Sequence, residues 1–283
     1  MANARIAAKD IAHSVRIPPR PEVLISFRQE LSSSNPNFNK LVNAVASDVS
    51  LSGAILQIIN SPAFGMRSRI TSIQQACSLL GMPRVEKVVQ AVALRGALSK
   101  GLSLDRFWDS ANEIATISRV LAMKLSGQSA DDAYTLGLFH DCGIPLLLQH
   151  FTDYKQTLID TNQSHVQPET RLEDERYGVN HTQVGYEVAV QWFLPDAIAG
   201  GILLHHQDLT RLSEDDIHND PVYPLICILK MAEYISASLR KAWRSDDHHE
   251  WNHIGGHVLQ VMEIDADDFT EICAEVIDAV KGA

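Results

Sequence analysis

The chain has 283 residues, 45% of them hydrophobic, and a formal net charge of −11, so it can build one large or two small domains with cores of their own. Its acidic balance argues against binding along a nucleic-acid backbone. No run of about 18 apolar residues suggests a membrane span, and residues 1–16 lack the apolar core of a signal peptide.

Charge is unevenly placed. Residues 1–100 hold 12 of the 24 Lys and Arg but 5 of the 35 Asp and Glu, a balance of +7 that leaves −18 for the remainder. This predicts two lobes with different surfaces, divided near Lys100-Gly101-Leu102-Ser103. The expected organisation is an N-terminal helical lobe over 1–100, a second helical lobe over 101–245 and a C-terminal helical extension over 246–283. Cys77, Cys142, Cys227 and Cys273 form no CxxC pair, as expected of reduced, buried thiols in a cytoplasmic protein.

In chain order, a helix is expected over Leu51–Asn60, stopped by Asn60-Ser61-Pro62. Thr71-Ser72-Ile73-Gln74 reads as a capping box for a helix that ends at Leu80-Gly81. Pro83 opens the next, with Val85, Val88, Val89 and Val92 forming one apolar stripe. Long helices follow over Leu104–Leu125 and Asp131–Gln149, the second with His140-Asp141 in its middle. Thr182–Phe193 and Pro195–His206 form a pair, and Pro224–Leu239 and Asp265–Val280 complete the set. The segments 161–176 and 209–221 are polar and read as loop-rich. No stretch alternates with period two for long enough to be a strand, so the fold class is all-α. Trp108 and Trp192 are expected in the core.

His140, Asp141, His181, His205 and His206 are separated by tens of residues and mostly placed at expected helix ends. In a helical bundle such groups can converge on a metal ion. Neutral imidazoles suit Mn, Fe, Ni or Zn, and a carboxylate can bridge two metals so that a shared water loses its proton near neutral pH.

Several runs together resemble the HDOD domain, a relative of the HD phosphohydrolases and the HD-GYP phosphodiesterases. They are Ile17-Pro18-Pro19-Arg20-Pro21, Asp48 to Leu51 with Asn60-Ser61-Pro62-Ala63-Phe64-Gly65, and Ile70 to Ala76 with Leu79-Leu80-Gly81. Tyr177-Gly178-Val179-Asn180-His181, Trp192-Phe193-Leu194-Pro195 and His205-His206 continue the match. The resemblance covers roughly Ile17 to Ser238 and implies an HD-like multi-helix bundle in a bacterial protein of signal transduction.

It also implies a metal set of His140, Asp141, His181, His205, His206 and Glu233, in degenerate form. Ser110 stands where the family's first ligating His belongs, and Glu233 where an Asp is usual. Asp109 is adjacent to Ser110 but about 100° away on a helix. Downstream, His206-Gln207-Asp208-Leu209-Thr210 has no Gly-Tyr-Pro, so hydrolysis of a cyclic dinucleotide is not expected.

The residues also admit a purely structural account. His140-Asp141 can be a buried hydrogen-bonded pair, His181 a helix-terminal residue, and only one of His205 and His206 need face inward. The other histidines read as surface residues. Arg67 and Arg69 are the candidates for a phosphate or carboxylate contact in the basic lobe. The expectation is a regulatory HDOD protein that acts through a signalling protein partner, with a homo-oligomer as a further expectation and without hydrolysis. Its alternatives are a divergent metal-dependent phosphohydrolase acting on a phosphoester or nucleotide, and a module that senses a nucleotide without cleaving it.

Overall fold

A computed structural model describes residues 15–18, 22–60, 66, 68–99, 101–125, 127–164, 170–213, 217, 219–239 and 249–281. Among the described residues every regular element is helical. The chain divides into two compact units, Pro18–Gly101 with Ala279–Ala283, and Met1–Ile17 with Leu102–Asp278.

The unit over Pro18–Gly101 contains α1 (Glu22–Leu31), α2 (Phe38–Ala46), α3 (Val49–Ile59), α4 (Ile73–Leu80) and α5 (Met82–Leu98). Asp48 caps α3 by accepting from the backbone N–H groups of Ser50 and Leu51 at 2.8 and 3.0 Å, which satisfies two otherwise orphaned donors. The stop at Asn60 reaches further than its own helix. The Asn60 side-chain amide donates to the carbonyls of Leu56 and Ile70 at 2.7 and 2.8 Å and accepts from the Ile70 N–H at 2.7 Å, tying the end of α3 to Ile70. The cap of α4 is Ser72, one residue later than the expected box, and it accepts from Gln75. Gly81 ends that helix at φ 78°, a backbone state open to glycine, and Pro83 sits in the first turn of α5. Val85, Val88 and Val89 are buried as the stripe requires.

The larger unit holds α6 (Asp105–Lys124), α7 (Ala130–Phe139), α8 (Ile144–His150), α9 (Tyr154–Ser164), α10 (Arg171–Tyr177), α11 (His181–Gln191), α12 (Asp196–Leu204), α13 (Val222–Leu239), α14 (His249–Val261) and, as far as Asp278, α15 (Ala266–Lys281). Helix α13 is its axis and packs against α6, α7, α12 and α14. It is the one described helix long and apolar enough to cross a membrane, and 67% of it is buried within the fold, with Lys230 at its centre. Trp108 and Trp192 are 2% and 1% exposed.

Two expectations are corrected here. The single helix over Asp131–Gln149 is broken at His140–Gly143, because Pro145 in the first turn of α8 has no N–H to continue the α7 ladder. The polar stretch 161–176 is partly helical, since α10 occupies Arg171–Tyr177. Segment 246–283 supplies α14, which packs on α13 and on the short 3-10 turn Leu209–Arg211.

Candidate metal centre

The centre lies within the larger unit, at the ends of four helices. The α7–α8 break delivers His140 and Asp141. The Tyr177-Gly178-Val179-Asn180-His181 run delivers His181: Gly178 ends α10 in the left-handed conformation (φ 68°), and Asn180 opens α11 through a capping box with Gln183. His181 is then the first residue of α11, so helix termination and site placement come from one sequence run. His205 caps the C-terminus of α12 and His206 follows. One ligand atom from each of Asp141, His181, His205 and His206 falls in a group whose members are all within 4.8 Å of one another. Both residues of the His205-His206 pair therefore contribute a ligand atom to the group, at the turn where α12 ends.

The orientation of the rings identifies the lone pairs. Each histidine turns Nδ1 to a fixed acceptor: His140 to the Gly137 carbonyl at 2.9 Å, His181 to the Glu173 carboxylate at 2.9 Å, His205 to the Ile202 carbonyl at 2.8 Å and His206 to Glu250 at 3.1 Å. In a neutral ring Nδ1 must then carry the hydrogen, which leaves Nε2 as the lone-pair nitrogen. The Nε2 atoms of His181 and His205 face Asp141 Oδ1 at 3.4 and 3.5 Å. Two acceptors facing each other just beyond hydrogen-bond distance is the arrangement that a bound cation resolves. These residues therefore fit a divalent metal, with carboxylate and imidazole ligands of the kind Mn, Fe, Ni and Zn share.

Charge states favour the same ligand set. Burial would raise the Asp141 carboxyl, but His140, His205 and His181 hold it well below the usual carboxylate range. Burial and then the neighbouring His206 push His205 down to about 3, and burial followed by Lys230 pushes His206 well below its ordinary value. At neutral pH Asp141 is thus an anion and His205 and His206 are neutral imidazoles.

On the far side of Asp141 the environment differs. His140 Nε2 faces Asp141 Oδ2 at 3.3 Å and Glu233 Oε1 at 3.5 Å. Burial works against a charge on His140, yet Asp141 and Glu233 outweigh it and move the ring upward. Glu233 is itself paired with Lys230 at 3.0 Å, and Lys230 also donates to Glu250 at 2.8 Å. Ser110 is half-buried on α6 and Asp109 is exposed.

Three residues at this centre escape sequence reasoning. Glu173 sits on α10, inside the stretch taken for loop. It is 1% exposed and accepts from His181 Nδ1, from the His181 backbone N–H at 2.7 Å and from the Tyr154 hydroxyl at 2.8 Å. Glu250 comes from α14, 44 residues beyond His206. Lys230, 2% exposed, gave the one legible signal, a lone cation inside Leu225–Ala232. Because Glu173 fixes the tautomer and aim of His181, Glu173→Gln is expected to weaken Mn or Zn binding by roughly 10–100-fold with the helical signal retained. Calorimetric titration of the metal checks it, and a loss below about threefold would make Glu173 a packing residue only.

The remaining candidates are less central. Arg67 lies outside the described residues, and Arg69 is exposed in the Pro18–Gly101 unit. His150 and His253 are exposed as expected, His253 facing Asp208 at 3.3 Å. His249 and His257 are half-buried instead, because they lie on α14 where it packs. His165, His218 and His248 lie outside the described residues. A cavity of about 340 Å³ opens beside His206 and Glu250, lined also by Gln207, Asp208, Arg211 and His253.

Comparisons with known proteins identify the family and the fold. The HDOD domain profile matches residues 17–208; the chain belongs to the HDOD domain family. An HDOD domain protein of unknown function from Geobacter sulfurreducens superposes with a TM-score of 0.70 at 18% identity, covering 99% of this chain and 98% of that one. A Shewanella amazonensis SB2B protein provisionally named a phosphohydrolase also gives a TM-score of 0.70, at 21% identity and with 97% of each chain covered. These likenesses establish the all-α HD-like fold. An uncharacterized protein of Treponema pallidum (strain Nichols) is 24% identical over 193 residues, which are 67% of this chain and 37% of that protein. The chain spans about a third of the length of the curated relatives it matches.

Proposed function

We propose that this chain is a cytosolic bacterial signal-transduction module that holds a divalent metal ion, regulates by binding a signalling protein partner and does not hydrolyse phosphoesters. The observation that carries this reading is the asymmetry about Asp141. On one side stands a ligand group of Asp141, His181, His205 and His206. On the other, Glu233 is tied to Lys230 at 3.0 Å, and the family's first histidine is replaced by Ser110. Two-metal hydrolysis needs ions about 3.5–4 Å apart to clamp both the attacking and the leaving oxygen, and here a second ion would miss the first histidine and find Glu233 engaged by Lys230. A single metal at the intact side would lend Lewis acidity to a bound oxygen. The protein's own part is to aim the imidazoles, through Glu173, Glu250 and the Gly137 and Ile202 carbonyls.

The second reading, a divergent metal-dependent phosphohydrolase, draws on the cavity beside His206, where Arg211 and His253 could meet a phosphate. The two readings separate in an assay of the manganese-loaded full chain on p-nitrophenyl phosphate and bis(p-nitrophenyl) phosphate, with Asp141→Ala as background. Equal rates are expected. Turnover that depends on Asp141 would replace the regulatory reading by the hydrolytic one.

A further inference from the structure

A buried lysine between two carboxylates is unusual in a centre built to attract a cation. Lys230 lies at the middle of α13 with a side chain 2% exposed, 3.0 Å from Glu233 Oε2 and 2.8 Å from Glu250 Oε2. Neither carboxylate ends at the lysine. Glu233 turns Oε1 to His140 Nε2 at 3.5 Å, and Glu250 turns Oε1 to His206 Nδ1 at 3.1 Å. The result is a continuous chain, His140–Glu233–Lys230–Glu250–His206, in which one ammonium serves both sides of the centre. Buried ions persist only when paired and hydrogen-bonded, and here the pairing uses the very carboxylate that a second metal would need.

We infer that Lys230 is an internal cation that takes the place of a second metal ion, so that the centre loads one divalent ion per chain and Glu233 serves the lysine instead of a metal. A strong point charge at that position repels a second divalent ion and occupies Glu233 Oε2. Through Glu250 the same ammonium steadies His206, making Lys230 a positioning residue for the ion that does bind. The inference rests on the metal reading proposed above and goes beyond it by fixing the stoichiometry and its cause. Lys230, Glu233 and Glu250 all lie outside residues 17–208, the span matched to the family.

The test uses the full chain without a histidine tag, stripped by chelator, titrated calorimetrically with manganese and desalted for elemental analysis. The wild type is expected to hold one equivalent. Lys230→Met alone leaves two carboxylates facing each other in the interior, so the decisive variant is the double substitution Lys230→Met with Glu250→Gln, which removes one positive and one negative charge together. With its fold confirmed by circular dichroism, it is expected to take up a second, weaker equivalent, using His140, Asp141 and Glu233, and to bind the first about 10-fold more weakly as His206 loses its carboxylate partner. Two equivalents in the wild type would overturn the inference while leaving the metal reading intact, as would a folded double variant that stays at one. If the double variant does not fold, Lys230→Gln with Glu233→Gln is read in its place: one equivalent with first-site affinity within twofold of wild type would overturn the positioning role, and a weaker first site would support it. No metal uptake by the wild type would overturn the metal reading and this inference with it.

Discussion

Asp141→Ala is expected to abolish metal-dependent stabilisation while leaving the chain folded. Asp141 is the one group that faces His140, His181 and His205 together, at 3.3, 3.4 and 3.5 Å, and the one carboxylate in the four-membered ligand group. Metal binding by a four-ligand site of this kind is worth about 10–16 kcal/mol, so an equal share is about 3 kcal/mol per ligand and its loss costs more than about 100-fold in affinity. A ligand at 100 times its Kd stabilises the native state by about 2.7 kcal/mol, which for a protein of this size raises Tm by roughly 5–10 °C. The wild type should show that rise on adding manganese or zinc, and Asp141→Ala should show none. An equal rise in both would place the ion elsewhere and return His140-Asp141 to a purely structural role. Asp141→Asn, which keeps the volume, separates loss of charge from loss of packing.

Gly143→Ala is expected to be the most damaging methyl group that can be added to this chain near the site. Gly143 has an ordinary helical backbone with φ −75°, so the requirement is closeness, not conformation. A Cβ there would lie 2.1 Å from the His181 carbonyl oxygen and 2.8 Å from the Gly185 nitrogen. Both are backbone atoms and cannot rotate aside, so α8 and α11 must separate. Overpacking typically costs about 1–3 kcal/mol and occasionally more; with a contact this short the upper end is expected, a fall in Tm of about 6–12 °C. Because His181 is the residue pushed, metal affinity should fall as well. Gly53→Ala supplies the contrast: Gly53 lies inside α3 with nothing within 4 Å of its added carbon, and it should gain up to about 1 kcal/mol from better helix propensity. Denaturant titration of both variants decides the matter, and a neutral Gly143→Ala would mean that α8 and α11 slide apart at little cost.

The local rules of the chain were largely readable in advance. Asn60 as a helix stop, Pro83 as a helix opener, the Val85-Val88-Val89 stripe and the buried Trp108 and Trp192 all depend on residues within a few positions of one another or on bulk apolarity, which period and composition report directly. The helix expected over Asp265–Val280 belongs with them: Asp265 accepts from the Asp268 N–H at 2.7 Å and caps α15. The expected helix across Asp131–Gln149 failed because Pro145 was outweighed by an apolar run that looks continuous in one dimension.

What the sequence by itself determined is the all-α class, the helices whose stops and stripes are local, the family and a list of candidate metal ligands, since those follow from short-range pattern and residue type. The tertiary structure alone decided which atoms meet. Glu173 sits 8 residues from His181 across the break at Gly178, and Glu250 44 from His206 on a separate helix, so no single helical face advertises either pairing. Lys230 could be noticed as a cation in an apolar helix, but its partners on α13 and α14 become visible only when those helices pack. The separation of Asp141 into one face toward His181 and His205 and another toward His140 and Glu233 is likewise a property of assembled helix ends. Directional contacts between distant segments carry no periodic trace, because selection acts on their positions in space and leaves the intervening chain unconstrained.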